Sequence, residues 1–160
     1  MTTEKTYEEL VEYQKVTQKW LGKKKDNENT KLGYAITKKM TKIIEKALKP
    51  LAELDEKLFE EMNDARAEFA LTDSNTKKFV YDITKDKDGN EVQNYAYTVK
   101  GRKDREDKIK NIKKAHLEAG EALLSQKATI ETYYATEIPA DLTIEEMEAF
   151  KGIVIDPGNA

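Results

Sequence analysis

The 160-residue sequence contains no cysteine. That absence removes disulfides, thiolate nucleophiles, zinc–thiolate sites and iron–sulfur ligation together. Histidine is nearly missing too: His116 is the only one, and no serine–histidine–acid or cysteine–histidine constellation can be argued for. The seven glycines are scattered singly, so there is no glycine-rich phosphate loop, and Gly22 to Lys25 matches no Walker pattern. No uninterrupted apolar run approaches the roughly 18 residues of a membrane span. The opening MTTEKTYEEL lacks the apolar core of a signal peptide. An excess of one charge is also lacking. The 28 basic and 31 acidic residues are interleaved and the formal net charge is −3, so no basic field invites DNA and no acidic tail repels it. These absences predict a soluble protein of a reducing compartment, without metal or cofactor.

What is present is charge and helical period. Charged residues make up 37% of the chain and apolar residues 38%, a balance that suits long, well-solvated helices better than a compact globule. Thr6-Tyr7-Glu8-Glu9 reads as a capping box that opens a helix to about Leu21 within residues 1–24. Its apolar residues form two stripes, one through Tyr7, Leu10 and Leu21 and one through Tyr13, Val16 and Trp20, as in a helix with more than one neighbour. A loop without apolar residues comes next. From 31 to 71, Ile36, Met40, Ile43, Ala47, Leu51, Leu54, Leu58, Met62, Ala65 and Phe69 recur in steps of four and three. Pro50 interrupts them, and because Lys49 is a poor N-cap a kinked single helix is favoured over two capped ones. A second long helix is predicted over 104–134, with Asp104 as N-cap and a heptad seam of Ile109, Ile112, His116, Ala119, Leu123, Gln126 and Ile130. Antiparallel pairing of the two would give a rod on the order of 45–60 Å long.

Between them the period changes to two. Phe79, Tyr81 and Ile83 alternate with Val80, Asp82 and Thr84, and Tyr95, Tyr97 and Val99 alternate with Ala96 and Thr98. This predicts a β-hairpin over 78–99. An isolated hairpin is marginal in water, so its aromatic face should lie on the helices or on a partner. The remainder, 136–160, carries a second capping box at Thr143-Ile144-Glu145-Glu146, a glycine stop at Gly152 and the strand-like run IVI. Leu142, Met147, Phe150, Ile153 and Ile155 are many anchors for so short a piece; either it folds back on the bundle or it is a docking arm. The last five residues, DPGNA, read as frayed. The fold expected is mainly α: one elongated domain, a helical hairpin or three-helix bundle with a β-hairpin insertion and a C-terminal arm.

DKDGNEVQ, residues 86–93, invites a calcium-loop reading that the spacing refuses. With Gly89 at the sixth loop position the first ligand is Thr84 and the twelfth is Tyr95 rather than glutamate. Asp88-Gly89 is instead a preferred hairpin-turn pair. His116 on a helix seam reads as packing, and the helix carboxylates alternate with lysines as on a solvated face. Lys77, Lys78, Lys100, Arg102 and Lys103 flank the hairpin tyrosines and could serve single-stranded nucleic acid. Asp82, Asp86, Asp88, Asp104 and Glu106 weaken that field.

The combination of LGYAITKKM, a hairpin with a D-x-D-G-N turn, a second long helix and the tail EIP…LTIEEMEAFKGIV resembles small uncharacterised proteins of tailed bacteriophages. The likeness spans Leu32 to Ile155. Those proteins sit among virion-structural and assembly genes and form a family of unknown function with no catalytic residues to carry over. Prefoldin subunits, coiled coils with β-hairpins, are a looser likeness, from which the single hairpin and the C-terminal arm depart. The resemblance implies a non-enzymatic, protein-binding virion or assembly component, in the virion or the host cytoplasm, with a protein partner and the option of a homo-oligomer. Its contact residues would be Phe79, Tyr81, Tyr95 and Tyr97 on the hairpin and Met147, Phe150, Ile153 and Ile155 on the arm. The alternatives are a small inhibitor or adaptor of a host or defence protein, and a weak single-stranded nucleic-acid binder.

Overall fold

The computed structural model describes residues 1–159 and is mainly helical, with two small antiparallel two-stranded sheets. In chain order the elements are β1 (Thr2–Thr6), α1 (Tyr7–Lys23), α2 (Lys31–Tyr34), α3 (Thr41–Ala47), α4 (Lys49–Glu68), β2 (Tyr81–Lys85), β3 (Glu91–Tyr95), α5 (Val99–Leu124), β4 (Lys127–Glu131) and α6 (Ile144–Phe150). Where the sequence suggests one elongated domain, the chain divides into two compact units. One is Met1–Ala52 with Gly120–Ala160; the other is Glu53–Ala119.

The first unit holds the deepest core. Leu10, Tyr13, Val16 and Trp20 of α1 meet Leu32, Ala35, Ile36, Met40 and Ile44, together with Ile130, Phe150, Ile153, Val154 and Ile155. The capping box of α1 forms as expected: Thr6 Oγ1 accepts from Glu9 N at 3.1 Å, and Thr6 N donates to Glu9 Oε2 at 2.7 Å. The loop after α1 is more ordered than its polar composition suggests. Asn27 is buried and donates through Nδ2 to Trp20 O at 2.7 Å, tying the 3-10 turn Asn27–Asn29 to the end of α1.

Between α2 and α3 the chain makes a π turn, Ala35–Met40, and Thr41 N bonds Ile36 O. The extra residue in that turn rotates α3 about its axis, so Ile44 rather than Ile43 is the buried position. The helical segment is interrupted at Leu48, which keeps α-region angles (φ −82°, ψ 0°). Leu48 O accepts from Leu51 N at 3.0 Å and Ala52 N at 3.3 Å, and Pro50 stands in the first turn of α4.

Two expected boundaries are corrected. The second long helix begins at Val99, not Asp104: Thr98 Oγ1 caps it by accepting from Gly101 N at 3.0 Å, which takes Val99 out of the hairpin. It also ends at Leu124. Residues 127–131 form β4, paired antiparallel with β1 from Thr2↔Glu131 to Thr6↔Lys127, so Gln126 and Ile130 do not extend a heptad seam. A strand forms because TTEKT supplies a complete ladder, from a place too far away in sequence for local periodicity to show it. The C-terminal glycine stop forms with Gly152 at φ +75°. The IVI run becomes a tight buried turn in which Ile153, Val154 and Ile155 N all donate to Phe150 O. Pro157–Asn159 form a 3-10 turn where fraying is expected; Ala160 lies outside the described residues.

In the second unit, α4 and α5 meet in opposite order along their lengths. His116 Nε2 lies 3.1 Å from Asp55 Oδ1, while Lys108 pairs with Glu68. Leu54, Leu58, Met62, Ile109 and Ile112 are only half-buried along this seam; Ala65 is the buried residue of α4, and α5 has none.

Candidate functional site

The hairpin grows directly from the helical pair of the second unit. Leu71 N donates to Ala96 O at 2.8 Å and Val80 N to Leu71 O at 2.9 Å, with a further bridge between Thr72 and Phe79. Residues 73–78 are held by the Asp73 carboxylate, which accepts from Asn75 N and Thr76 N at 2.8 Å each. Those amides hold its carboxyl below the usual carboxylate range. Beyond them β2 and β3 pair from Tyr81↔Tyr95 to Lys85↔Glu91. Asp86 closes the end: Oδ1 accepts from Asp88 N and Asn90 N at 2.9 Å, and Gly89 takes φ +81°. The carboxylate that opens the calcium reading is thus an internal cap for a turn.

Register places Tyr81 directly opposite Tyr95, their rings 5.4 Å apart and stacked at 24°. Phe79 packs on the same Tyr95 ring at 4.9 Å. The cluster is not covered: Phe79 is 41% exposed, Tyr81 47% and the neighbouring Ile83 61%. Tyr97 separates from the group. Its hydroxyl donates to Arg66 O at 2.8 Å and the Arg105 guanidinium lies 4.4 Å from its ring, so this tyrosine anchors the hairpin to α4 and α5.

The arm residues are placed elsewhere. Phe150, Ile153 and Ile155 are fully buried, and Phe150 meets the rings of Tyr13 and Trp20 edge-on, each at 5.9 Å. Met147 packs half-buried against the same core. The docking-arm expectation is corrected: the segment folds back because its apolar positions complete a core that α1 alone leaves open. Its capping box forms at Thr143 and Glu146, and the segment is pinned by Lys23–Glu146 and Lys24–Asp141 ion pairs.

Sequence reasoning missed Phe59 and Leu117, which are 66% and 62% exposed on α4 and α5. Both lie one residue beyond the apolar stripe, Phe59 after Leu58 and Leu117 after His116, a signal readable from spacing. On the same two helices Arg66, Arg105, Glu106, Ile109, Lys110 and Lys113 line a shallow groove. A cleft of about 730 Å³ between residues 29–34 and 133–139 has Glu137 as its one carboxylate. Among the described residues no group of three or more His, Asp or Glu could hold a metal ion, and no helix is long and apolar enough to cross a membrane.

Comparison with known proteins brings no match: no family model, curated protein or solved structure is recognisably similar to the chain.

Proposed function

We propose that this chain is a non-enzymatic interaction protein of a bacteriophage, a virion or assembly component that binds a protein partner through the aromatic face of its hairpin. The observation that carries the reading is the exposed stack of Phe79, Tyr95 and Tyr81 on a strand pair fastened at its base. Large, rigid aromatic side chains contribute contact area at low entropic cost, and such clusters on a fixed support are typical interface anchors. The fold reading that goes with it is an antiparallel helical hairpin of α4 and α5 presenting the β-hairpin. The phage assignment rests on the resemblance read from the sequence motifs between Leu32 and Ile155 alone.

One observation favours protein over nucleic acid. Around the tip, Lys77, Lys78, Lys85 and Lys87 are interspersed with Asp73, Asp82, Asp86, Asp88 and Glu91, a mixed field that holds phosphates weakly.

The test is a pull-down from infected or expressing cells, read by mass spectrometry, with the full chain and its Tyr81→Ser/Tyr95→Ser variant. The expected result is a protein partner captured by the wild type and lost by the variant, with the chain present in purified particles. Capture of one host protein with no chain in particles would make it an adaptor or inhibitor instead. Retention of RNA or DNA that falls steeply with salt, without a protein partner, would overturn both.

A further inference from the structure

The second unit carries a second feature that the hairpin face does not use. Its two helices have opposite charge. From Glu53 to Glu68 seven carboxylates stand against two cations, and from Val99 to Ala119 eight cations stand against four carboxylates. They also leave two large apolar side chains, Phe59 and Leu117, exposed on one shared flank. Asp55, Phe59 and Arg66 succeed one another at helical spacing on α4, as Ile109, Lys113 and Leu117 do on α5. The Asp55–His116 contact and the groove that brings Arg66 to Arg105 and Lys113 put these rows on the same side of the pair, while Lys108–Glu68 closes the other. Phe59 and Leu117 therefore share a face, two-thirds exposed, next to a groove whose lining holds four cations and one carboxylate.

We propose that this face is the interface of a symmetric dimer in which α4 of one copy lies against α5 of the other, completing a four-helix bundle. A second copy is the partner that the charges select. With the two-fold axis along the helices, each acidic α4 is flanked by basic helices on both sides and all neighbours are antiparallel. An axis across the helices would set α4 on α4 and repel. In the selected arrangement Phe59 enters the groove of the second copy beside Ile109 and Leu117, while Glu56 and Glu60 approach Lys110 and Lys113. The absence of any buried residue on α5 is what a half-interface looks like before its other half arrives.

Sedimentation equilibrium of the full chain, over a range of concentration and salt, tests this. The expected result is a monomer–dimer equilibrium that weakens as salt rises. Lys110→Glu/Lys113→Glu and Glu56→Lys/Glu60→Lys change only exposed side chains. Each variant alone should raise the dissociation constant at least about tenfold, because both copies then oppose like charges. Mixed one to one, the two variants should form a heterodimer as tight as the wild type. Circular dichroism and melting at monomeric concentration check that each variant is folded. A wild type that stays monomeric throughout, a charge-swapped variant that dimerises undiminished, or folded variants that do not combine on mixing would each overturn the proposal.

Discussion

Gly33 sits so close to the preceding turn that a Cβ there would lie 2.0 Å from Asn27 O. Thr30 Oγ1 holds the same spot, accepting from Gly33 N at 2.9 Å and donating to Asn27 O at 2.7 Å. Backbone cannot yield as a flexible side chain does, so Gly33→Ala should cost about 2 to 3 kcal/mol in urea unfolding. Tyr13 is the opposite case. Burial pushes its phenol pKa up, and its hydroxyl is buried with no hydrogen-bond partner on the protein. Tyr13→Phe should therefore be neutral or stabilising by up to about 1 kcal/mol, read from the same curves. Burial works against the charged form of Glu146. Lys23, with the amide and hydroxyl of Thr143, nevertheless holds its carboxyl below the ordinary range. A lowered folded pKa means the contribution is complete above the unfolded value of about 4.3 and is lost as pH falls through the folded one. Glu146→Gln keeps a capping side chain but should flatten that acid loss in unfolding measured from pH 7 to pH 3.

Short helical elements were legible wherever one local contact decides them. Both capping boxes, the Gly152 stop and the hairpin turn at Gly89 formed where the residues placed them, because each is closed within a few residues. The sheet of β1 and β4 was not legible. Its first strand is polar on both faces and its second on one, and Ile130 happens to fall at a heptad step from Leu123. The signal against the seam was the run of Thr129, Ile130, Thr132, Tyr133 and Tyr134, which favours extended backbone. The same distinction governs the candidate contact residues. Period two grouped Phe79, Tyr81 and Tyr95 correctly, but no local pattern tells an anchor of a docking arm from an anchor of a distant core, and Phe150, Ile153 and Ile155 belong to the core. At Pro50 the structure makes a distinction that sequence could not. A proline in a helix interior costs about 3 kcal/mol, whereas one in a first turn costs little. Pro50→Ala should thus shift stability by less than about 1 kcal/mol, because α4 restarts at Lys49.

At the scale of the whole molecule the two units differ in how much they bury. The first has a core of fully enclosed side chains on α1, the 32–44 segment and the α6 turn; the second has half-buried seams and an exposed hairpin. Local opening tracks burial. Amide exchange should therefore be fastest in β2 and β3, intermediate in α5 before Ala119, and slowest in α1 and around Phe150; the reverse order between α1 and α5 would contradict this division. The β1–β4 ladder has one more consequence, and it concerns time. Thr2–Thr6 leaves the ribosome well before its hydrogen-bonding partner Lys127–Glu131, which emerges about 120 residues later. All the residues of the second unit are synthesised in between, so β1 must wait, as an unpaired polar strand, until that whole unit has been made.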